Sequence, residues 1–128
     1  MSLSESKVGA TIAVSDMDQA RGFYEGKLGL SPGPMDEGAG VVYECGQGTT
    51  VLVYHSPEHA GKATATIATW EVDDLEAAVD ELAAKGVAFE QYEEPKTDEK
   101  GIHTIAEGRK IAWFKDPEGN VIAVGQFA

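Results

Sequence analysis

The sequence predicts an α+β chain of two tandem βαβββ modules, their sheets forming a curved eight-stranded half-barrel with the helices outside. Three observations carry this expectation. The order strand, capped helix, Pro- and Gly-rich segment, hairpin occurs twice along the chain. A shift of 58 residues superposes Asp16 on Asp74, and with it Val14 on Val72, Met17 on Leu75 and Ala20 on Ala78. One amphipathic helix per module covers one face of a four-stranded sheet, so each module leaves a face in need of a partner. At 128 residues the chain is one domain, with repeat 1 at about 8–56 and repeat 2 at about 64–127.

The first strand is VGATIAV from Val8, rich in β-branched and small residues. Asp16 then caps a helix from Asp16 to Leu28, with Gln19 completing a capping box. Met17, Ala20, Tyr24 and Leu28 fall on one face of that helix, and Gly29 ends it in the left-handed conformation. SPGPMDEGAG reads as a mobile loop, after which VVYEC and TTVLVYH form a hairpin around Gly46-Gln47-Gly48. The second half repeats the order. TATIATWEV is a strand, Asp73-Asp74 offers the cap, and Leu75, Ala78, Val79 and Leu82 make the buried stripe before Gly86. EEPKTDEKGIHTIAEG reads as the second loop, and KIAWFK and VIAVGQF flank the turn Asp116-Pro117-Glu118-Gly119-Asn120.

Composition narrows the function classes. With 42% hydrophobic and 25% charged residues, neither disorder nor a membrane-embedded protein fits. The 22 acidic against 10 basic side chains give a formal charge of −12, a field that repels phosphate backbones and anionic lipid and leaves a cationic ligand favoured. Nucleic acid and membrane are therefore not expected partners. The lone Cys45 excludes an intrachain disulfide, and MSLSESK lacks the features of a secretory signal, which together imply a cytoplasmic protein. No nucleophile elbow, P-loop or dinucleotide fingerprint occurs, and Cys45 has no basic neighbour in sequence to make it a nucleophile.

Strand alternation selects the residues expected to line the cleft between the two sheets. Gly9 shares a face with Thr11, Thr50 with Leu52 and Tyr54, Ile67 with Thr69, and Val121 with Ala123. Apolar groups mixed with hydroxyls suit a small organic ligand held by contact and a few hydrogen bonds. His103, in the charged stretch Thr97 to Arg109, is the candidate lid residue over that cleft. His55 and His59 are four apart, but Ser56-Pro57 between them marks a strand end and turn rather than a helical metal pair.

Val14-Ser15-Asp16 with Ala20, Phe23-Tyr24 and Leu28-Gly29-Leu30, then Val72-Asp73-Asp74-Leu75 with Leu82 and Lys85-Gly86-Val87, then Trp113-Phe114-Lys115-Asp116-Pro117-Glu118-Gly119-Asn120, resemble the vicinal oxygen chelate superfamily. It groups glyoxalase I, bleomycin-resistance proteins, extradiol dioxygenases, fosfomycin-resistance enzymes and methylmalonyl-CoA epimerase, and the match runs from Val8 to Phe127. The resemblance implies the glyoxalase-like paired-module fold and, for a single chain of this length, a homodimer. It also implies a divalent metal held by His and Glu or Gln, on which a substrate with two neighbouring oxygens chelates. The family's ligand positions fall here on Gly9, Leu52, Ile67 and Ala123, none of which can bind a metal. A shift by one residue turns a strand's side chains to the other face, so neighbouring donors are no simple replacement.

Of the strand aromatics Tyr43, Trp70 and Trp113, whose default role is core packing, Trp113 resembles positions that line the family's pocket. The expected ligand-binding set is thus Thr11, Leu52, Tyr54, Ile67, Thr69, Trp113, Ala123 and His103, with no metal, no cofactor and no assigned catalytic residue. The expected function is metal-free binding of a small organic molecule. The alternative is a glyoxalase-like lyase, isomerase or dioxygenase with a relocated metal on His55, His103, Glu44 or Glu71, and a third is an interaction module whose cleft is filled.

Overall fold

Each half of the computed structural model, which describes residues 2–36 and 40–127, has the order β-α-β-β-β. The halves are two compact units, Met1–Lys62 and Ala63–Ala128.

The first unit holds β1 (Gly9–Val14), α1 (Met17–Arg21), β2 (Pro32–Asp36), β3 (Gly40–Glu44) and β4 (Thr50–His55), in the sheet order β1-β4-β3-β2. β1 runs parallel to β4, the others are antiparallel. That order follows from the connections: a helix carries the chain across from β1, and a short turn over Gly46–Gly48 joins β3 to β4. Asp16 caps α1 as expected, Oδ1 accepting from the Gln19 N–H at 3.0 Å. The helix does not stay α-helical to Leu28. From Gly22 to Lys27 it widens into a π-helical stretch, closed by the Leu28 N–H donating to the Phe23 carbonyl at 3.0 Å, and Gly29 turns left-handed at φ 74°. Ile12, Val14, Val41, Tyr43, Val51 and Val53 are buried with Ala20, Phe23 and Tyr24 of the helical segment, and the Tyr24 and Tyr43 rings lie 6.2 Å apart. Phe23 joins this core within the π-helical stretch, its ring edge-on to Tyr24 with centroids 5.3 Å apart.

The second unit repeats the topology with β5 (Thr66–Glu71), α2 (Leu75–Ala84), β6 (Ile102–Ala106), β7 (Arg109–Lys115) and β8 (Val121–Gln126), in the order β5-β8-β7-β6. Asp74 is the cap, accepting from the Ala77 N–H at 3.1 Å. At the same end of α2 the Leu75 N–H donates to Oε1 of Gln126 on β8 at 3.0 Å, which ties helix to sheet. Leu75 and Val79 are buried with Ala112, Phe114, Ile122 and Val124. The β7–β8 turn is built on Asp116, whose Oδ1 accepts from the N–H groups of Glu118 and Asn120 and whose Oδ2 accepts from Asn120 Nδ2, all at 2.9–3.0 Å. No helix among the described residues is long and apolar enough to cross a membrane.

Both segments read from sequence as mobile loops carry a strand. β2 occupies half of SPGPMDEGAG, and β6 occupies IHTIA, so His103 sits on a strand rather than in a loop. Residues 37–39 of the first segment lie outside the described residues. Proline, glycine and charge masked these strands because both lie at a sheet edge, where a missing donor or a charged side chain is tolerated.

Candidate functional site

In each unit the helix lies on one sheet face, and strand pairing fixes what the other face carries. In the first sheet Thr11 pairs with Leu52 and Leu52 with Val42, while Ala13 pairs with Tyr54 and Tyr54 with Gly40. Paired residues project to the same side, so Thr11, Leu52 and Tyr54 share the face turned away from α1. Thr11 is exposed there, and Leu52 and Tyr54 are half-buried.

In the second sheet Thr69 pairs with Ala123 and Ala123 with Trp113 on the face turned away from α2. Ala123 is fully buried and forms the floor of that row, Thr69 is exposed, and Trp113 is half-buried. His103 pairs with Ile111, which puts it on the same side as Trp113. Its ring stacks on the indole, centroids 6.2 Å apart and planes at 28°, and Tyr92 meets the indole edge-on at 5.6 Å and 67°. A register shift between Thr66 and Ala68 breaks the alternation of β5 and brings the Thr66 hydroxyl to the same indole, where it accepts from Trp113 Nε1 at 3.1 Å. Ile67, within that irregularity, is half-buried. Phe127 lies against Gly125, leaving no room for a Cβ there.

Thr11, Leu52 and Tyr54 thus belong to one face of the first sheet, and Thr69, Trp113, Ala123 and His103 to one face of the second. Tyr92, Thr66 and Phe127 escaped sequence analysis. Tyr92 sits outside any strand pattern, Phe127 follows the last strand, and Thr66 reaches the face only through an irregularity that alternation cannot foresee.

Tyr43 and Trp70 are strand aromatics of a different kind. Tyr43 is wholly buried on the helix side, its hydroxyl donating to Glu25 Oε2 at 2.9 Å, and Arg21 Nε donates to the same oxygen at 2.7 Å. The Arg21 guanidinium holds the Glu25 carboxyl below the usual carboxylate range, against the opposing effect of burial. Burial pushes the Tyr43 hydroxyl well above its ordinary value, and the Glu25 carboxylate adds to that. Trp70 is half-buried and pairs with Val124, which belongs to the buried row beside α2.

The residues at the family's ligand positions do not fit a metal. Gly9 pairs with Thr50, and a Cβ at Gly9 would sit 2.6 Å from the Thr50 hydroxyl and 3.1 Å from its carbonyl oxygen. Leu52, Ile67 and Ala123 offer no lone pair. The relocated donors do not converge within a unit. Glu71 and His103 lie on the two outer strands of one four-stranded sheet, roughly 14 Å apart at the usual strand spacing. Glu44 pairs with Thr50 at one end of β4, and His55 ends that strand on the opposite face. His59 is exposed in the turn after β4 and is joined to Ser56 at 2.9 Å. Among the described residues no three His, Cys, Asp or Glu side chains gather as a metal site.

The model of the Glyoxalase/Bleomycin resistance protein/Dioxygenase superfamily matches residues 8–124. The chain belongs to this superfamily. Among solved structures, a glyoxalase/bleomycin resistance protein from Catenulispora acidiphila is 27% identical with a TM-score of 0.74, covering 95% of this chain and 98% of its own. A lactoylglutathione lyase from Agrobacterium tumefaciens is 21% identical at a TM-score of 0.68, covering 95% of this chain and 93% of its own. TnmS3, an antibiotic binding protein from Streptomyces, is 23% identical at a TM-score of 0.68, with 97% of each chain covered. No curated protein matches the sequence.

Proposed function

We propose that this chain is a binding member of the superfamily. It holds a small organic molecule against the helix-free faces of its sheets and uses no metal at the family's usual positions. It works as a cytoplasmic homodimer. The observation that carries this reading is the chemistry of the four ligand positions, Gly9, Leu52, Ile67 and Ala123, where a Lewis acid would find no donor. The second support is the helix-free face of the second sheet, where Trp113, Tyr92 and His103 gather. Aromatic surface with a few polar groups is what a site for an organic molecule requires. TnmS3, which shares the fold, is an antibiotic binding protein, so the fold is compatible with that role. A formal charge of −12 favours encounter with cationic over anionic compounds.

The test is elemental analysis of protein purified without chelator, before and after incubation with Zn, Ni, Mn and Fe(II), followed by a thermal-shift screen of small molecules. The expected result is less than about a tenth of a metal per chain, together with saturable stabilisation by at least one compound that is recovered unchanged. Stoichiometric metal, or turnover of the bound compound, would sink the proposal.

A further inference from the structure

The polar groups around the Trp113 indole specify more than a greasy surface. His103 Nδ1 lies 2.8 Å from the Lys96 carbonyl oxygen, and a carbonyl can only accept. Nδ1 therefore carries the proton, and in the neutral ring Nε2 is left as an acceptor. No partner for Nε2 exists among the described residues. On another side of the indole, Thr66 Oγ1 already accepts from Trp113 Nε1, so its own proton is free to be donated. Tyr92 packs edge-on against the indole and holds the ring in place.

We infer that the Trp113 platform selects a planar aromatic ligand carrying an N–H or O–H donor on its edge. The ring stacks beside His103 on the indole, the ligand donor meets His103 Nε2, and a ligand acceptor, where there is one, takes the Thr66 proton. Selectivity for the donor arises because His103 Nε2 gives up water when the aromatic ligand covers it. A ligand without a donor leaves that lone pair unpaired, which costs about tenfold or more in affinity. The inference rests on the binding function proposed above and names the ligand class for it.

The experiment uses acridone, a planar tricycle with one ring N–H and one carbonyl, and N-methylacridone, which keeps the rings and the carbonyl but loses the donor. Binding is followed by fluorescence titration of the full-length protein. Acridone should bind at least about tenfold more tightly than its methylated partner. His103→Leu should bring the two affinities together, and His103→Gln, which restores an acceptor, should recover part of the preference. Trp113→Leu should weaken both ligands, with near-native circular dichroism in every variant. Equal affinity of the two compounds for the native protein, a preference that survives His103→Leu, or no acridone binding at its solubility limit each overturns the inference. The wider binding proposal is separated by the small-molecule screen. A non-aromatic hit whose stabilisation survives Trp113→Leu refutes the platform and leaves binding standing, whereas no hit of any class removes both.

Discussion

Replacing Asp116 by alanine should unfasten the hairpin that presents Trp113. The carboxylate is 5% exposed and accepts three hydrogen bonds, two from backbone N–H groups and one from the side chain of Asn120, itself 3% exposed. Two of the three donors belong to a buried residue, so water cannot readily take the carboxylate's place. A net hydrogen bond contributes about 1 kcal/mol, somewhat more with a charged acceptor, so Asp116→Ala should cost roughly 3 kcal/mol. For a chain of this size that corresponds to a fall in Tm of roughly 10–15 °C. Asp116→Asn keeps an oxygen for the two backbone donors and gives up the bond from Asn120 Nδ2, so its cost should be about half or less. Differential scanning calorimetry reads both values, and urea titration supplies an independent free energy. The turn also sets the pairing of Trp113 with Ala123, so Asp116→Ala should weaken acridone binding even below its lowered Tm. A drop of less than about 3 °C for Asp116→Ala, or equal losses for the two variants, would refute the assignment of the turn to the carboxylate.

Further outcomes follow from the buried polar group and from two close-packed positions. Glu25 titrates lower in the folded chain than in the unfolded one, so its contribution is complete above the unfolded value of ~4.3 and is lost as the pH falls through the folded value. Urea unfolding between pH 3 and 7 should therefore show a shallower acid loss for Glu25→Gln than for the native chain. Tyr43 is raised in the folded state, so stability should fall as the pH climbs past ~10, where the unfolded phenol ionises, and Tyr43→Phe should lessen that fall in the same assay. Gly40 sits at φ 147° with the Val53 carbonyl where a Cβ would go, so Gly40→Ala should give little folded protein by circular dichroism. Ala123→Glu, which puts a carboxylate at one of the four expected ligand positions, should bury it where Ala123 is 0% exposed. The cost is about 3 kcal/mol or more by chemical denaturation, with no metal gained in elemental analysis.

What was legible in the sequence was whatever a local rule dictates. Asp16 and Asp74 cap their helices because a short carboxylate before an apolar stripe has backbone N–H groups to accept from. Gly29 ends its helix because a residue without Cβ adopts the left-handed turn without strain. The π-helical stretch over Gly22–Lys27 was not legible, since nothing in an apolar period distinguishes it from an α-helix until Phe23 and Tyr24 must both reach the core. Edge strands β2 and β6 were hidden by the very residues that edges tolerate. For the site, alternation put Leu52 with Tyr54 and Val121 with Ala123 on shared faces, but which strands lie side by side needed the structure, Thr66 arrives through a strand irregularity and Tyr92 through a connection between elements.

The two sheets share a topology, and the difference between them lies in what their helix-free faces carry. On the first, Gly9 opposes Thr50, and the row through Thr11, Leu52 and Val42 offers one hydroxyl and two aliphatic groups. On the second, Trp113 gathers Thr66, Tyr92 and His103, so that a proton, a lone pair and an aromatic face lie around one ring. The strand order is the same in both modules, so the asymmetry lies in the side chains and in the register irregularity of β5, which the continuous β1–β4 pairing lacks. Specific recognition draws on directional groups, and the second face has them in greater supply. Gly9, Leu52, Ile67 and Ala123 carry no side-chain donor, so these positions offer no means of orienting a substrate by chelation to a metal. The groups around Trp113 supply an orienting device of another kind, in which the plane of the indole fixes tilt and the His103 lone pair fixes rotation.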